Sequence, residues 1–264
     1  MSQKPPTKQF IKNPINGTNY TILVSSAKGG VGKSTVAVNL GFALQKLGLK
    51  IGILDADVYG PSLPKLLSLQ EKPKSEDNKS ITPLEKFGAQ CMSMGLLIDE
   101  QVPMMWRGPM VISAIKTMTQ KVVWKNRDVI IIDMPPGTGD TQLTFVQEVK
   151  IDGAIIVSTP QDLALLDVKR GIQMFEKTEV KILGLIDNMS FFIGDDGKDY
   201  RIFGEGGVEK TAKEFNKKFL GHLPLSSDLR KSADNGEPLT YSKPDHEVSK
   251  LFKNIAEKIK LSFQ

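Results

Sequence analysis

Apolar runs of strand length alternate with longer segments of helical periodicity along most of this chain. Apolar runs without interruption indicate strands that are buried on both faces, and their alternation with helices indicates parallel order. The pattern therefore predicts an α/β fold, with a three-layer, mostly parallel sheet covered by helices on both faces. The predicted strands lie near residues 21–25, 50–54, 129–133, 154–158, 182–186 and 219–222.

Three stretches depart from this alternation. The polar stretch 70–80 leads into residues 81–87 and 89–94, which Gly88 separates, and this predicts an exposed loop followed by a pair of strands. Residues 1–19 are polar and contain proline, so we expect a short, partly ordered arm before a single domain over residues 20–264.

The last stretch, 246–264, has the periodicity of an amphipathic helix. Its apolar residues share one face, and lysines lie elsewhere on the helix. A basic amphipathic helix can lie on anionic lipid, but a terminal helix that docks its apolar face on the sheet has the same pattern. We favour docking, and we expect no stable association with membranes.

Composition adds bounds to this prediction. A chain of 264 residues with 40% apolar residues suits one large α/β domain. The single cysteine, Cys91, excludes a disulfide scaffold and favours a reducing compartment, so we expect a cytoplasmic protein. The net charge of +5 is modest, and the lysines are scattered along the chain. Both observations argue against nucleic acid as a partner.

The clearest motif is a glycine-rich segment directly after the first predicted strand. Such a loop points backbone N–H groups at phosphate oxygens, and the following helix presents its positive N-terminal end. In this pattern Lys33 reaches the β- and γ-phosphates and Ser34 holds magnesium, so ATP and Mg²⁺ are the predicted cofactors. The predicted nucleotide-binding residues of the loop are Lys28, Gly29, Gly30, Val31, Gly32, Lys33, Ser34 and Thr35.

Carboxylates follow two other predicted strands. Residues 55–62 read Asp-Ala-Asp-Val-Tyr-Gly-Pro-Ser, and a carboxylate there can orient the water that attacks the γ-phosphate. Residues 129–140 form an apolar strand that ends at Asp133 and runs into Met-Pro-Pro-Gly-Thr-Gly-Asp. This is the usual arrangement for an aspartate that holds magnesium through its water shell. Asp133 is therefore a predicted metal-binding residue.

Two later segments predict contacts with the base. Asn188 has both a donor and an acceptor, so it can pair with the exocyclic amine and a ring nitrogen of adenine. Pro224 and Leu225 can flank the ring. By itself Asn188 is equally typical of a turn, and the assignment depends on the phosphate loop.

Together these motifs resemble the Mrp/ApbC branch of the deviant phosphate-loop ATPases, a group that includes the Min and Par positioning ATPases. The resemblance runs from about Tyr20 to the C-terminus. It implies an ATP-hydrolysing homodimer that assists assembly or delivery of iron–sulfur clusters, with scaffold or target proteins as partners. It also implies catalytic roles for Lys28, Lys33 and Asp57: Lys28 would reach the nucleotide of the partner subunit, and Asp57 would orient the attacking water.

One departure from this branch concerns the cluster itself. Many members carry Cys-x-x-Cys between the segments that match Asn-Met-Ser and Ile-Phe-Gly, whereas residues 190–201 of this chain contain no cysteine. Asp195 and Asp196 are hard oxygen donors and poor ligands for such clusters, and Cys91 provides only one thiol per subunit. A cluster is possible, but its ligands are not identified. A nucleotide-switched positioning or regulatory ATPase without a cluster is the alternative.

Overall fold

This computed structural model describes residues 12–75, 79–97, 108–194 and 196–263, and it is built on one eight-stranded sheet. Across the sheet the strand order is β10-β7-β6-β1-β5-β2-β4-β3, and every neighbouring pair is parallel except β3 and β4. The strands are β1 (Thr18–Ser25), β2 (Ile51–Asp55), β3 (Leu84–Lys86), β4 (Ala89–Ser93), β5 (Arg127–Asp133), β6 (Gly153–Ser158), β7 (Ile182–Asp187) and β10 (Phe219–His222). A separate antiparallel hairpin consists of β8 (Phe192–Ile193) and β9 (Asp199–Tyr200).

Helices follow most of the strands and cover the sheet. They are α1 (Lys33–Lys46), α2 (Leu63–Leu66), α3 (Gly108–Lys116), α4 (Asp140–Glu148), α5 (Asp162–Lys177), α6 (Gly207–Glu214), α7 (Ser227–Asp234), α8 (Leu239–Ser242) and α9 (Glu247–Lys260). Short 3-10 turns span Met94–Leu96 and Leu261–Phe263, and a π turn spans Thr117–Lys121.

Two apolar clusters lie on opposite faces of the sheet. Along β5, Ile131 packs with Phe42 of α1 and Phe252 of α9, whereas its neighbour Ile130 packs with Phe145 of α4 and Phe175 of α5. Successive side chains of a strand point to opposite faces, so this division shows that helices cover both sides. Strands β2, β4 and β6 are buried at every position, as expected for a sheet inside two helical layers. The predicted three-layer α/β fold is confirmed.

All six predicted parallel strands are present, with differences at their ends. β1 begins at Thr18, before the predicted start of the domain, and upstream of it Ile15 is only 2% exposed and Asn13 bridges Val149. The predicted strand pair around Gly88 is present, but β3 begins at Leu84 because Ile81 and Thr82 bridge to other segments. Glycine suits this turn, since Gly88 has φ +77°.

The C-terminal helix docks on the fold. Val248, Phe252, Ile255 and Ile259 are buried, and α9 packs against α1 and β10. Below it, the rings of Tyr20 and Phe263 stack at 4.6 Å. The apolar face of α9 is therefore committed to the core, and no helix within the described ranges is long and apolar enough to cross a membrane.

Candidate functional site

The predicted phosphate loop joins β1 to α1, and its lysine points at the predicted magnesium ligand. Lys33 is only 6% exposed, and its Nζ contacts Asp133 Oδ1 at the end of β5 and donates to Ser34 Oγ at 3.3 Å. Strands β1 and β5 are neighbours in parallel, with Val24 opposite Asp133, so the loop and the carboxylate lie at the same edge of the sheet. The structure thus brings Lys33, Ser34 and Asp133 into one hydrogen-bonded cluster.

Two glycines shape this loop. Gly30 and Gly32 both have φ +80°, a left-handed conformation that favours glycine. At Gly32 a Cβ would lie 2.4 Å from Asn188 Nδ2, whereas at Gly30 it would meet nothing within 4 Å. Gly32 is therefore required for close approach as well as for backbone conformation.

Asn188 supports the phosphate loop from the end of β7. It is 4% exposed, and its Nδ2 donates to the carbonyl of Val31 at 2.8 Å. Since a carbonyl only accepts, this contact determines which way the amide is oriented. The Oδ1 atom is buried and has no partner among the described residues. This bond uses one of the two N–H groups of Nδ2, so the pairing of Asn188 with adenine through a donor and an acceptor stays a prediction.

The loop after β2 is held by a carboxylate that the sequence analysis did not single out. Asp55 is fully buried and accepts four hydrogen bonds, from the backbone N–H groups of Asp57, Ser62 and Leu63 at 2.9–3.1 Å and from Ser93 Oγ at 3.0 Å. Asp57 in turn accepts bonds from the backbone of the next residues, Tyr59 and Gly60, at 3.1 and 3.2 Å. Asp55 therefore sets the path of the loop that presents Asp57.

The buried carboxylates at this edge influence one another. Burial raises the pKa of Asp133 above its usual range, although the ammonium of Lys33 opposes this effect. Burial and then the charge of Asp133 raise the pKa of Asp55 to about 7, against the effect of its hydrogen bonds. The excess of buried negative charge suits this edge to a cation.

Two adjoining cavities open beside these residues. The first, which we call the phosphate cavity, has a volume of about 220 Å³ and is lined by Gly29, Gly30, Gly32, Lys33, Ser34, Thr35, Asp57 and others. The second, the nucleoside cavity, has a volume of about 720 Å³ and includes Asn188, Pro224 and Leu225 in its wall. Gly32 and Thr35 line both, so the two cavities adjoin at the start of α1.

Lys28 lies apart from this group. It is exposed, and its side chain does not line the phosphate cavity of its own chain. Its carbonyl accepts a hydrogen bond from Ser26 Oγ at 2.9 Å, which holds the backbone of the loop. Val31 also differs from its neighbours, because its side chain packs in the core and only its backbone belongs to the loop.

The glycine-rich loop after β5 has a buried support of its own. Gln142 in α4 is 1% exposed; it accepts from Ser25 Oγ at 3.2 Å and donates to the carbonyl of Pro135 at 2.5 Å. It thereby ties β1 to the loop that follows Asp133. A single glutamine in a helix has no distinguishing pattern in the sequence, and only the fold reveals this contact.

The candidate cluster ligands are not gathered into a site. Cys91 is 0% exposed within β4, and burial raises the pKa of its thiol to about 12. Asp195 lies outside the described residues, and Asp196 accepts hydrogen bonds from Lys198 and Tyr200 at the turn of the hairpin. Within the described part of the chain, no three His, Cys, Asp or Glu side chains are grouped as metal ligands.

Comparison with known proteins identifies the family. The protein-family model described as "ParA: NUBPL iron-transfer P-loop NTPase" matches residues 17–260. The chain belongs to this family. It is 47% identical over 247 residues to "Iron-sulfur protein required for NADH dehydrogenase, mitochondrial" of Arabidopsis thaliana, covering 93% of this chain and 79% of that protein. It is 44% identical over 263 residues to an "Iron-sulfur cluster carrier protein" of Escherichia coli K12, covering 98% of this chain and 71% of that protein.

Solved structures agree with this assignment to the NUBPL-type P-loop NTPases. A nucleotide-binding protein of Archaeoglobus fulgidus in complex with ADP has a TM-score of 0.76 at 36% identity, over 86% of this chain and 90% of that one. The cell division ATPase MinD of Pyrococcus furiosus has a TM-score of 0.66 at 22% identity, and the match covers 92% of this chain and 98% of MinD. At this identity the match shows a shared fold. The predicted resemblance to the cluster-carrier branch is therefore confirmed.

Proposed function

We propose that this chain is a magnesium-dependent ATPase that works as a homodimer and assists assembly or delivery of iron–sulfur clusters to target proteins. One observation carries the proposal: Lys33, Ser34 and Asp57 line a single phosphate cavity beneath a glycine-rich loop, and Asp133 pairs with Lys33. One relative is named an iron–sulfur cluster carrier and another an iron–sulfur protein required for NADH dehydrogenase, and these names favour this role over that of a positioning ATPase.

The two cavities fit ATP. Phosphates would lie against the backbone of residues 28–35, and Lys33 would turn from Asp133 toward them. The base would enter the nucleoside cavity, where the buried, unpartnered Oδ1 of Asn188 can accept from the 6-amino group of adenine. An unsatisfied buried acceptor is costly, so a donor on the ligand supplies what the protein lacks.

The donor set also fits magnesium. Mg²⁺ prefers hard oxygen ligands and keeps several waters, and Ser34 Oγ and Asp133 provide such oxygens beside the phosphate cavity. When bound, the ion would neutralise charge that develops on the phosphates. Asp57, 9% exposed at the wall of the same cavity, would orient the attacking water.

Several features support a homodimer. Lys28 is exposed in the glycine-rich loop and does not line the phosphate cavity of its own chain, so its side chain is free to extend toward a nucleotide that another subunit holds. Large apolar side chains are also exposed at this edge, with Tyr59, Leu163 and Leu166 at 62%, 70% and 58%. Leu163 and Leu166 are one turn apart on α5, and contiguous exposed apolar residues mark interaction sites. ATP would then join two copies, and its hydrolysis would change their association.

Clusters would be handled as cargo that other proteins ligate. The chain has one cysteine, its thiol is buried, and a dimer would contain only two such thiols, whereas a cluster takes four thiolates. We therefore propose contacts with scaffold or target proteins in place of a cluster held by this chain. The cytoplasm remains the proposed compartment, on the basis of cysteine content.

The ATPase proposal is tested by comparing Lys28→Ala with wild type and with Lys72→Ala, an exposed lysine outside the site. Phosphate release should require Mg²⁺ and should fall by about 10³-fold in Lys28→Ala, as for loss of an arginine finger, while nucleotide affinity is retained. A normal rate in the Lys28→Ala dimer would contradict a role for this lysine across the interface.

The cluster proposal is tested by anaerobic reconstitution with iron and sulfide, with iron counted per dimer in wild type and Cys91→Ala. We expect no stable cluster in either protein, together with intact ATPase activity. Binding of a cluster by wild type and its loss in Cys91→Ala would show that the thiol becomes a ligand and would overturn the proposal.

A further inference from the structure

The β8–β9 hairpin is the element that the sequence analysis did not predict, and it is fixed to the nucleoside cavity. At its base, Ser190 N donates to the carbonyl of Leu223 at 3.0 Å, and Leu225 N donates to the carbonyl of Phe191 at 2.7 Å. These two bonds tie the hairpin to the loop between β10 and α7. The same loop carries Pro224 and Leu225, which form part of the cavity wall.

The hairpin is also ordered internally. Phe192 pairs with Tyr200 in antiparallel register, Gly194 N donates to the carbonyl of Lys198 at 2.9 Å, and Tyr200 Oη donates to Asp196 at 3.0 Å. Side chains alternate across a strand, so Phe192 and Ile193 point to opposite faces. A hairpin with these bonds presents the ring of Phe192 in a definite position.

Phe192 forms part of the wall of the nucleoside cavity. It lines that cavity together with Asn188, Pro224 and Leu225, yet 39% of its surface remains exposed. Its position in the cavity wall, beside residues that are predicted to contact the base, is what points to a ligand. Part of the ring is therefore available to a ligand in the cavity, and aromatic rings favour offset stacking or edge-to-face contact with another flat ring.

We propose that Phe192 contacts the nucleobase directly by stacking, and that the hairpin is positioned by nucleotide through this contact. The proposal rests on the proposed function, since it requires a purine nucleotide in the nucleoside cavity. Asn188 would recognise the edge of the base and Phe192 its face. Bound nucleotide would then restrain a surface segment that lies next to the exposed residues Ile193 and Ile202.

Fluorescence titration with ribose-labelled ADP, competed by unlabelled ADP or by inorganic tripolyphosphate, tests this contact. Stacking on an aromatic side chain contributes enough that Phe192→Ala should weaken ADP about 10-fold, whereas Phe192→Trp should retain affinity. Tripolyphosphate has no base, so its affinity should be the same in all variants. Ile193→Ala is the matched control, because Ile193 is the exposed neighbour of Phe192 and does not line the nucleoside cavity, and it should bind ADP as wild type does.

Hydrogen exchange of the hairpin provides a second readout. Backbone amides of residues 192–200 should exchange more slowly with ADP than with tripolyphosphate, and Phe192→Ala should remove that difference. Unchanged ADP affinity in Phe192→Ala would overturn the stacking contact, as would an equal loss of affinity for ADP and tripolyphosphate. If wild type binds neither ligand, the proposed ATPase function itself fails, and the two failures are thereby distinguished.

Discussion

Gly32→Ala tests whether the phosphate loop and the loop after β7 are packed against each other as the structure indicates. Gly32 has φ +80°, and a Cβ there would lie 2.4 Å from Asn188 Nδ2 and 3.3 Å from Met189 Cε. The new methyl group would displace the Asn188 amide, which donates to the carbonyl of Val31. The substitution therefore combines a backbone penalty with the loss of a buried hydrogen bond.

The expected loss of stability follows from these two parts. Placing alanine in the left-handed region costs about 1–2 kcal/mol. Loss of the Asn188–Val31 hydrogen bond adds about 0.5–1.5 kcal/mol. Gly30→Ala is the matched control, because Gly30 has the same φ of +80° but nothing within 4 Å of its Cβ position. We expect Gly32→Ala to lower the free energy of unfolding by about 1 kcal/mol more than Gly30→Ala does.

Urea unfolding without nucleotide measures both losses, and a double-mutant cycle isolates the contact. Asn188→Ala removes the group that the new methyl would strike, so Gly32→Ala should cost about 1 kcal/mol less in the Asn188→Ala background than in wild type. Equal losses in Gly30→Ala and Gly32→Ala, or strict additivity with Asn188→Ala, would refute the packing argument.

Two further predictions concern buried charge. Lys33→Met should lower nucleotide affinity and also destabilise the fold by about 3–5 kcal/mol, because it leaves the carboxylate of Asp133 buried without its partner; titration with ADP and urea unfolding measure these effects, and unchanged affinity would contradict the phosphate contact. Burial raises the pKa of Asp187 from 3.8 to about 6, so the folded state holds a proton between these values that the unfolded state has released. This contribution to stability is greatest below pH 4 and is lost as pH rises through 6. The stability of wild type relative to Asp187→Asn, measured by urea unfolding at a series of pH values, should fall over that interval, and a constant difference would contradict the prediction.

The sequence could predict the phosphate loop and Asp133 because each is a contiguous motif that directly follows an apolar run. The parallel sheet was predictable for the same reason, since its central strands contain uninterrupted apolar runs. The buried side chains that hold the loops of the site in place could not be predicted from the sequence. Asn188 meets Val31 across 157 positions and Asp55 meets Ser93 across 38, and no local pattern reports such contacts.

The hairpin was missed for a different physical reason. Its strands have two residues each, so neither is long enough to show the alternation that identifies a strand. The hairpin is held by hydrogen bonds to a loop more than 30 residues away in the sequence. This loop follows β10, and β10 pairs with β7, so the loop lies next to the hairpin. Short elements of this kind depend on tertiary contacts, and their sequences read as loops.

The position of this hairpin bears on how the chain can serve iron–sulfur proteins. The nucleotide edge retains its glycine loop, lysines and carboxylates, while the segment between β7 and α6 carries aromatic and charged side chains and no thiol. Cys91 lies in β4, on the far side of β1 from β7, and is enclosed by the core. Moving this thiol to the surface would require the apolar core that encloses it to open. Under the proposed function, ATP-driven change would act through protein surfaces, and the hairpin is one surface that is joined directly to the nucleoside cavity.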